Sequence, residues 1–283
     1  MEGREMEGGE WRDGRWRDGS GEKLVRGDPP AAGLGSAAAP GRPAAASGRS
    51  EPVPPRRFDP AAWARVHDRR EARDFVFWRG VELAGEVCAE RVRPGEVWLD
   101  VGCGPGHLAA ALARLGARAV GLDFDPCMAR YGRRRWRLPF AVADACILPV
   151  ADRCCAGIVA VSLLGCLPLP AAFFDAARRV LAPGGTLCFS AMNRHSLLLA
   201  AGKARAWRGR HGRGYAAYDP AALAAALARA GFSPERQILY GHFLGAGRRI
   251  VPGPGAAQRL ERSVPPGRRS AWARQLLLVA RRR

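Results

Sequence analysis

The sequence predicts an α/β fold built on seven strands, most of them parallel. From residue 97 onward, short apolar runs alternate with Ala-rich segments of helical length, which is the pattern of βαβ units. A glycine-rich loop follows the first run, and an acidic residue stands near the end of each of the first three runs. Right-handed crossovers bring the carboxyl ends of such strands to one edge of the sheet, where ligands bind.

A helical pattern precedes the first strand. It begins near Asp59, which can cap the helix, with Pro60 at the first helical position. We then expect, in chain order, a strand over 97–102, a helix over 108–116 that ends at Gly116, a strand over 117–124, a helix over 126–136 and strands over 139–145 and 155–164. The second half continues with a helix over 169–181 closed by a turn at 182–185, a strand over 186–192, a helix over 219–232 and strands over 236–243 and 274–281.

Two regions of the chain differ in composition. Residues 1–57 are dense in Gly, Pro, Ala and Ser, so we expect a disordered tail that builds no core. Residues 58–283 form one predicted domain, with an N-terminal helical segment (58–92), a core (93–243) and a basic loop with the last strand (244–283). The start has no apolar signal-peptide region, and no apolar run approaches the roughly 18–20 residues that span a bilayer. We therefore expect a cytoplasmic protein without a transmembrane segment.

The chain is strongly basic, with a formal net charge of +19 at pH 7. Such a charge brings a nucleic-acid partner into consideration. The excess is nearly all arginine in a chain rich in Ala, Gly and Pro, a composition that GC-rich genomes also produce, so this partner is not favoured. The eight cysteines include no C-x-x-C pair and no Cys/His cluster with zinc spacing. We therefore predict buried, reduced thiols and no metal site.

The stretch LDVGCGPGH, residues 99–107, places three glycines at alternate positions after an apolar run. The dinucleotide fingerprint G-x-G-x-x-G needs a glycine at position 107, where the chain has His107. The phosphate-binding P-loop needs Lys and then Ser or Thr after its last glycine, and neither follows Gly106. The sequence therefore argues against a phosphate cradle, while Gly102 and Gly104 still let a ligand approach the backbone closely.

Three acidic residues indicate a different ligand. Asp100, near the end of the first strand, would repel a pyrophosphate and suits a ligand that presents an ammonium group. Asp123, at the end of the second strand, can accept hydrogen bonds from two ribose hydroxyls. Asp144, at the end of the third, can accept one from an adenine amino group, with the backbone N–H of Ala145 beside it. Each acid alone also fits a local role, as a strand-end acid, a turn former or a helix cap, but a nucleoside with a cationic amino-acid tail, S-adenosylmethionine (SAM), accounts for all three.

These motifs resemble those of the class I, Rossmann-like SAM-dependent methyltransferases, and most of all the small-molecule branch that includes the quinone-biosynthesis methyltransferases. The resemblance spans about residues 93–243, and its motifs are LDVGCGPG, GLDFDPCM, ADACILPVAD, RRVLAPGGTL and YAAYDPAALAAALARAGF. It implies a Rossmann-like sheet of seven strands with helices on both faces and an antiparallel last strand, 275–280, at the edge of the sheet. It also implies SAM as the cofactor, in a site that includes Cys103, Phe124 and Ser162 in addition to the residues above.

The loop after the fourth strand, SLLGCLPLP, bears on the acceptor. It lacks the Asn/Asp-Pro-Pro-aromatic motif that enzymes acting on amino groups of adenine or glutamine share, and it lacks the acids of metal-dependent catechol methyltransferases. Its apolar character suits an apolar or aromatic small-molecule acceptor. After the fifth strand, Asn193 and Arg194 resemble the Asn-Arg pair of ubiquinone-pathway O-methyltransferases. His195 is the candidate general base, because imidazole titrates near neutral pH; a surface or helix-capping histidine is the alternative.

The segment GKARAWRGRHGRGYAAY, residues 202–218, is basic and contains no acid. We expect it to cover the substrate and to recognise a carboxylate or phosphate on it, or to contact an anionic membrane surface; a solvated loop is the alternative. Its basic residues are Lys203, Arg205, Arg208, Arg210, His211 and Arg213. Tyr215 and Tyr218 either line the acceptor pocket or begin the next helix.

The sequence thus predicts a SAM-dependent methyltransferase that methylates oxygen or carbon of a small apolar or aromatic molecule. Two alternatives remain open. One is an RNA or protein methyltransferase that uses its basic surface, and the other is a SAM-binding protein without catalytic activity.

Overall fold

The computed structural model describes residues 10–12, 15–17, 23–26, 75–167, 170–197, 216–242 and 269–283. Near the start, three short strands form an antiparallel sheet that the sequence did not predict: β1 (Glu10–Arg12), β2 (Arg15–Arg17) and β3 (Lys23–Arg26). The rest of 1–57 lies outside the described residues, where disorder stays a prediction. The predicted helix start at Asp59 lies outside them as well.

The main sheet and its helices account for the remainder of the described chain. The strands of the sheet are β4 (Val97–Val101), β5 (Arg118–Asp123), β6 (Phe140–Val142), β7 (Cys155–Ala160), β8 (Leu181–Asn193), β9 (Ala217–Tyr218), β10 (Phe232–Tyr240) and β11 (Gln275–Arg282). The helices are α1 (Phe75–Ala89), α2 (His107–Arg114), α3 (Pro126–Trp136), α4 (Pro170–Val180), α5 (Pro220–Arg229) and α6 (Arg269–Trp272), with a 3-10 turn at Leu164–Cys166.

The strand order is β10-β11-β8-β7-β4-β5-β6, and the two-residue strand β9 pairs with β8. Strands β4 to β8 are mutually parallel, and β11 runs antiparallel to both of its neighbours. The predicted seven-stranded, mainly parallel sheet with an antiparallel last strand is therefore confirmed, with β9 as an addition. Strand β8 is longer than predicted, because the expected turn at 182–185 lies within it.

The prediction that the last strand forms an edge is wrong, since β11 lies between β8 and β10. Leu277 packs into the hydrophobic cluster on one face of the sheet and Leu278 into the cluster on the other. A strand covered on both faces and paired on both sides is typically a continuous apolar run, and LLLVA is such a run.

Helices cover both faces of the sheet, as predicted. Successive strand residues point to opposite faces, so Trp98 packs with α1 and α2 while its neighbour Leu99 packs with α4 and α5. Both side chains are buried. Helices α3 and α5 begin at Asp-Pro pairs, in which the carboxylates of Asp125 and Asp219 accept backbone N–H groups at 2.7 and 2.9 Å, the expected capping arrangement.

The ring of Phe140, at the start of β6, fills space that three glycines leave open. A Cβ atom on Gly106, Gly121 or Gly132 would lie 2.3, 2.4 or 2.5 Å from an atom of that ring. Gly106 also has φ +84°, the left-handed region that favours glycine. The last glycine of the loop after β4 therefore serves packing, and it joins the loop to β5, β6 and α3.

The cysteines are free thiols. Four are buried, as predicted (Cys88, Cys103, Cys155 and Cys188), three are half-buried and Cys166 is exposed. Among the described residues no three His, Cys, Asp or Glu side chains cluster as metal ligands do. The described helices include none that is both long enough and apolar enough to cross a membrane.

Candidate functional site

The glycine loop between β4 and α2 lies at the carboxyl edge of the parallel strands. Four of its backbone N–H groups donate to protein acceptors: Gly102 and Cys103 to the carbonyl of Leu122 at 2.7 and 3.0 Å, Gly104 to Oδ2 of Asp123 at 2.7 Å, and Gly106 to the carbonyl of Cys103 at 2.9 Å. A phosphate-binding loop instead directs such groups at the ligand. The geometry therefore agrees with the sequence argument against a phosphate cradle.

Asp100 lies beneath this loop and is only 3% exposed. Its Oδ2 accepts a hydrogen bond from the backbone N–H of Ala109 in α2, at 2.8 Å. Burial, together with a smaller effect of the negative charge of Asp123, raises the pKa of Asp100 to about 7, although the hydrogen bond from the N–H of Ala109 acts to lower it. A cation next to this carboxylate would favour its ionised form. Asp100 therefore suits an ammonium group, although it lies deeper than the sequence suggested.

Asp123 connects the end of β5 to the glycine loop. Its Oδ2 accepts the N–H of Gly104, and its Oδ1 accepts the N–H of Asp125 at 2.9 Å. Burial raises the pKa of Asp123, while these two hydrogen bonds act to lower it. Each carboxylate oxygen has a second lone pair, so Asp123 can form the turn and still accept hydroxyl groups.

The exposed ring of Phe124 follows β5, and Asp144 and the exposed side chain of Ile147 follow β6. Asp144 is exposed, its Oδ1 accepts the N–H of Cys146 at 2.8 Å, and its neighbour Ala145 is buried. Phe124 is 76% exposed and Ile147 is 75% exposed. Because β5 and β6 are adjacent strands, these two side chains belong to one edge of the sheet, where an aromatic base would shield them from water. Ile147 was not among the residues predicted from the sequence, where its signal is an apolar residue in a turn-forming segment.

Ser162 follows β7 with an unusual backbone conformation, φ +61°. Its N–H donates to Oγ of the buried Ser190 at 2.7 Å, which fixes the start of the loop after β7. The next residue, Leu163, lies against the glycine loop, because a Cβ on Gly102 would be 2.9 Å from its Cδ1. The loops after β4 and β7 therefore pack together, as the prediction of Ser162 in the site requires.

His195 follows β8, and its imidazole is 56% exposed. Its Nε2 lies 2.5 Å from Oδ2 of Asp219, 24 residues further along the chain. The backbone N–H of His195 donates to Oδ1 of the buried Asn193 at 3.1 Å. In the sequence, Asp219 is recognisable only as the start of a helix, and its pairing with His195 was not predicted.

Tyr218 links the loop after β7 to the region of His195. Its hydroxyl donates to the carbonyl of Leu164 at 3.0 Å, and its own carbonyl accepts the N–H of Arg194 at 2.9 Å. Burial raises the pKa of Tyr218, and the thiol of Cys166 raises it further. Tyr218 thus forms part of a wall next to the apolar loop. Tyr215 and the predicted basic residues of the same segment lie outside the described residues.

The structure therefore groups the predicted site residues along one edge. The predicted cofactor residues lie at or just after the ends of β4, β5, β6 and β7, and His195 follows β8. Strand β7 separates β4 from β8, and neighbouring strands lie about 4.8 Å apart, so β4 and β8 are about 10 Å apart across the sheet. The register places Asp100 level with Cys188, so β8 continues to Asn193 beyond the end of β4. The last residues of β8 therefore border the space between the glycine loop and His195.

Two cavities lie apart from the predicted cofactor residues. One, of about 400 Å³, is lined by residues that include Arg93, Trp98 and Gly184, at the opposite edge of the sheet. The other, of about 430 Å³, lies between α4 and α5 and is lined by residues that include Asp219 and Tyr218. Neither includes a predicted cofactor residue, but the second borders the histidine–carboxylate pair.

Part of the chain is similar to known methyltransferases. Residues 99–189 match the family model described as a methyltransferase domain. A ubiquinone biosynthesis O-methyltransferase of Xanthomonas campestris pv. campestris (strain B100) is 33% identical over 114 residues, which are 38% of this chain and 48% of that protein. The chain thus spans about half the length of the curated relatives it matches.

Solved structures share the fold at low sequence identity. The magnesium protoporphyrin IX methyltransferase of Synechocystis PCC 6803, crystallised with SAH, aligns with a TM-score of 0.56 and 16% identity over 79% of this chain and 94% of that one. A SAM-dependent methyltransferase of Mesorhizobium loti aligns with a TM-score of 0.52 and 21% identity over 71% of this chain and 100% of that one. These likenesses show that the fold is of the Rossmann-like methyltransferase type.

Proposed function

We propose, from the class I SAM-dependent methyltransferase domain that this chain carries, that the protein methylates oxygen or carbon of a small apolar or aromatic acceptor. The observation that carries the proposal is the hydrogen bond between Asp123 and Gly104, with Asp100 beneath it and Asp144 beyond it. These groups lie at or just after the ends of three neighbouring strands, in the order in which the amino-acid, ribose and adenine parts of SAM would lie.

We assign each part of the cofactor to different residues at this edge of the sheet. Asp100 offers negative charge to the ammonium group, and Asp123 offers oxygens to the ribose hydroxyls. Asp144 and the N–H of Ala145 suit the polar edge of adenine, and the exposed ring of Phe124 suits its face. When bound, SAM supplies an electrophilic methyl group on a sulfonium.

The protein's own contribution to the reaction is to position the acceptor and to exclude water. The loop after β7 supplies an apolar surface through the half-buried side chain of Leu163, while Leu164 is buried in the core. An acceptor hydroxyl must lose a proton as its oxygen gains the methyl group, and we assign His195 to take that proton. The name of the curated relatives, ubiquinone biosynthesis O-methyltransferase, supports oxygen as the methylated atom.

Binding and turnover assays test this proposal. Calorimetry on the purified full chain is expected to show SAM binding, and a panel of hydroxylated aromatic compounds is expected to include one that is methylated. A folded protein that does not bind SAM would contradict the proposal. Binding without turnover on any acceptor would instead favour the alternative of a SAM-binding protein without catalytic activity.

A second candidate function, RNA methylation, is favoured by the surface of α3. Arg130, Arg133, Arg134 and Arg137 are exposed, and none of them pairs with an acid in the part of the chain that the structure describes. Such a cluster suits phosphate groups.

An RNA-binding assay separates the two functions. RNA methylation predicts RNA binding that weakens steeply with salt, and a loss of that binding when Arg133, Arg134 and Arg137 are replaced by Gln. Binding that is absent at about 150 mM salt, or that does not change in the variant, rejects this candidate.

A further inference from the structure

We infer that Asp219 is a positioning residue for methyl transfer, which holds the imidazole of His195 by Nε2 and leaves Nδ1 to accept the proton of the acceptor. The inference rests on the proposed function, in which His195 removes that proton. It adds Asp219 to the residues proposed to act in methyl transfer. Asp219 caps the start of α5, far along the chain from the cofactor motifs.

The two carboxylate oxygens of Asp219 have separate partners. Oδ1 accepts the backbone N–H of Ala222 at 2.9 Å, the hydrogen bond of a helix cap. Oδ2 lies 2.5 Å from Nε2 of His195. A cap needs only one side-chain oxygen, so the contact with His195 goes beyond what starting the helix requires.

The positions of His195 and Asp219 are both fixed by hydrogen bonds of the neighbouring residues. The N–H of His195 donates to Oδ1 of Asn193, and Nδ2 of Asn193 donates to the carbonyl of Ala273 at 2.8 Å. Strand β9 pairs Tyr218 with Asn193, so the residues that precede Asp219 lie alongside those that precede His195. The imidazole is therefore placed by three elements, β8, β9 and α5.

This arrangement fixes the tautomer. A carboxylate at Nε2 favours the form of neutral imidazole that carries its proton on Nε2, which leaves a lone pair on Nδ1. The Ala222 N–H and then His195 lower the pKa of Asp219, so its carboxylate is ionised at neutral pH. A carboxylate in this role orients the histidine and balances the charge of the imidazolium, without taking the proton itself.

The proton and electron balance is simple. The acceptor hydroxyl gives its proton to Nδ1 of His195, and an electron pair of its oxygen forms the new bond to the methyl carbon. The carbon–sulfur bond breaks, and its electron pair stays on the sulfur atom. Nδ1 then releases the proton to solvent, which the half-exposed imidazole can reach. The charged groups that face Asp219 across the adjoining cavity are Arg194, Asp175 and Arg229.

Asp219→Asn separates the two functions of the residue. Asn is as good a helix cap as Asp, but the substitution removes the negative charge that lies next to Nε2 of His195. We expect Asp219→Asn to keep the wild-type melting temperature and SAM affinity, while kcat falls by about 100-fold, in the range of a lost general base. Asp125→Asn, at the equivalent Asp-Pro cap of α3, is the matched control for stability.

A double-mutant cycle with His195→Gln tests whether the pair acts as a unit. The double variant is expected to be no slower than His195→Gln alone, because groups that act together are not additive. A wild-type kcat in Asp219→Asn, or losses in the two single variants that multiply in the double, would overturn the inference.

Carboxyl NMR gives a readout that needs no acceptor. The pKa of Asp219 is expected to rise toward the ordinary Asp value in His195→Gln, and no change would mean that the pair does not form in solution. Failure of the proposed function has a different signature, since the wild type would then either not bind SAM or methylate no acceptor, while this NMR result would stay intact.

Discussion

Oδ2 of Asp123 accepts a hydrogen bond from the backbone N–H of Gly104 at 2.7 Å, and so joins the end of β5 to the glycine loop after β4. The same carboxylate that we assign to the ribose hydroxyls thus also shapes the loop that would hold the amino-acid tail. A change at Asp123 is therefore expected to affect both ends of the ligand.

Asp123→Ala is expected to weaken SAM binding by about 1–3 kcal/mol, or roughly 5- to 150-fold, because it removes a charged hydrogen-bond acceptor. Isothermal titration calorimetry measures this loss. Asp152→Ala is the matched control, since Asp152 is an exposed acid that pairs with Arg179 away from the site. Equal affinity in the Asp123 variant and the wild type would remove Asp123 from the cofactor site.

The pKa of Asp100, raised by burial to about 7, predicts a pH dependence of binding. Below that value the carboxylate is mostly neutral and loses its attraction for an ammonium group. At pH 6 only about a tenth of it is ionised, so affinity for SAM is expected to be up to about tenfold weaker than at pH 8. In Asp100→Asn this part of the pH dependence disappears, and a variant that keeps the full dependence would assign it to another group.

The pH dependence of stability has the opposite sign. Because the folded-state pKa of Asp100 lies above its unfolded value, Asp100 contributes stability while protonated. That contribution is lost as pH rises from about 4 through about 7. The free energy of unfolding of Asp100→Asn, measured in urea, is therefore expected to rise relative to that of the wild type between pH 5 and pH 8. A constant difference would contradict the raised pKa.

Gly106→Ala and Gly95→Ala form a matched pair for the packing of the loop. Both glycines have φ +84°, so each substitution costs about 1–2 kcal/mol of backbone strain. A Cβ on Gly95 meets nothing within 4 Å, whereas one on Gly106 would lie 2.3 Å from Phe140. Overpacking adds about 1–3 kcal/mol at Gly106 alone. Equal losses of unfolding free energy in urea would show that Phe140 can move aside.

Phe124→Ala tests the assignment of the exposed ring to the face of adenine. SAM affinity is expected to fall roughly 2- to 10-fold, while unfolding free energy stays within about 0.5 kcal/mol because the side chain is exposed. Phe124→Tyr keeps the ring and is expected to keep the affinity. An Ala variant that binds SAM as the wild type does would place the adenine elsewhere.

Most of the fold could be predicted because its signals are local. Helix α3 has the predicted limits, since Asp125 and Pro126 define its start within a few residues. The position of β11 inside the sheet depends on the strands that pair with it, β8 and β10. A local sequence pattern does not predict which strands pair. The run 276–280 does carry a signal for burial on both faces, which the edge prediction overlooked.

The site shows the same division. Asp100, Gly104 and Asp123 could be selected as candidates because they occur in one motif or at strand ends. The contact between His195 and Asp219 could not, since it depends on the two-residue strand β9, which no periodicity reveals. The burial of Asp100 beneath α2 is likewise a property of the packed structure.

The four hydrogen bonds of the glycine loop have a consequence for the energetics of association. They join protein groups to one another, so the conformational entropy of this loop is lost during folding, and the later encounter with a ligand carries little further entropic penalty. We therefore expect the rate at which SAM associates to depend on diffusion to the carboxyl edge of the sheet and not on a slow rearrangement of residues 102–106.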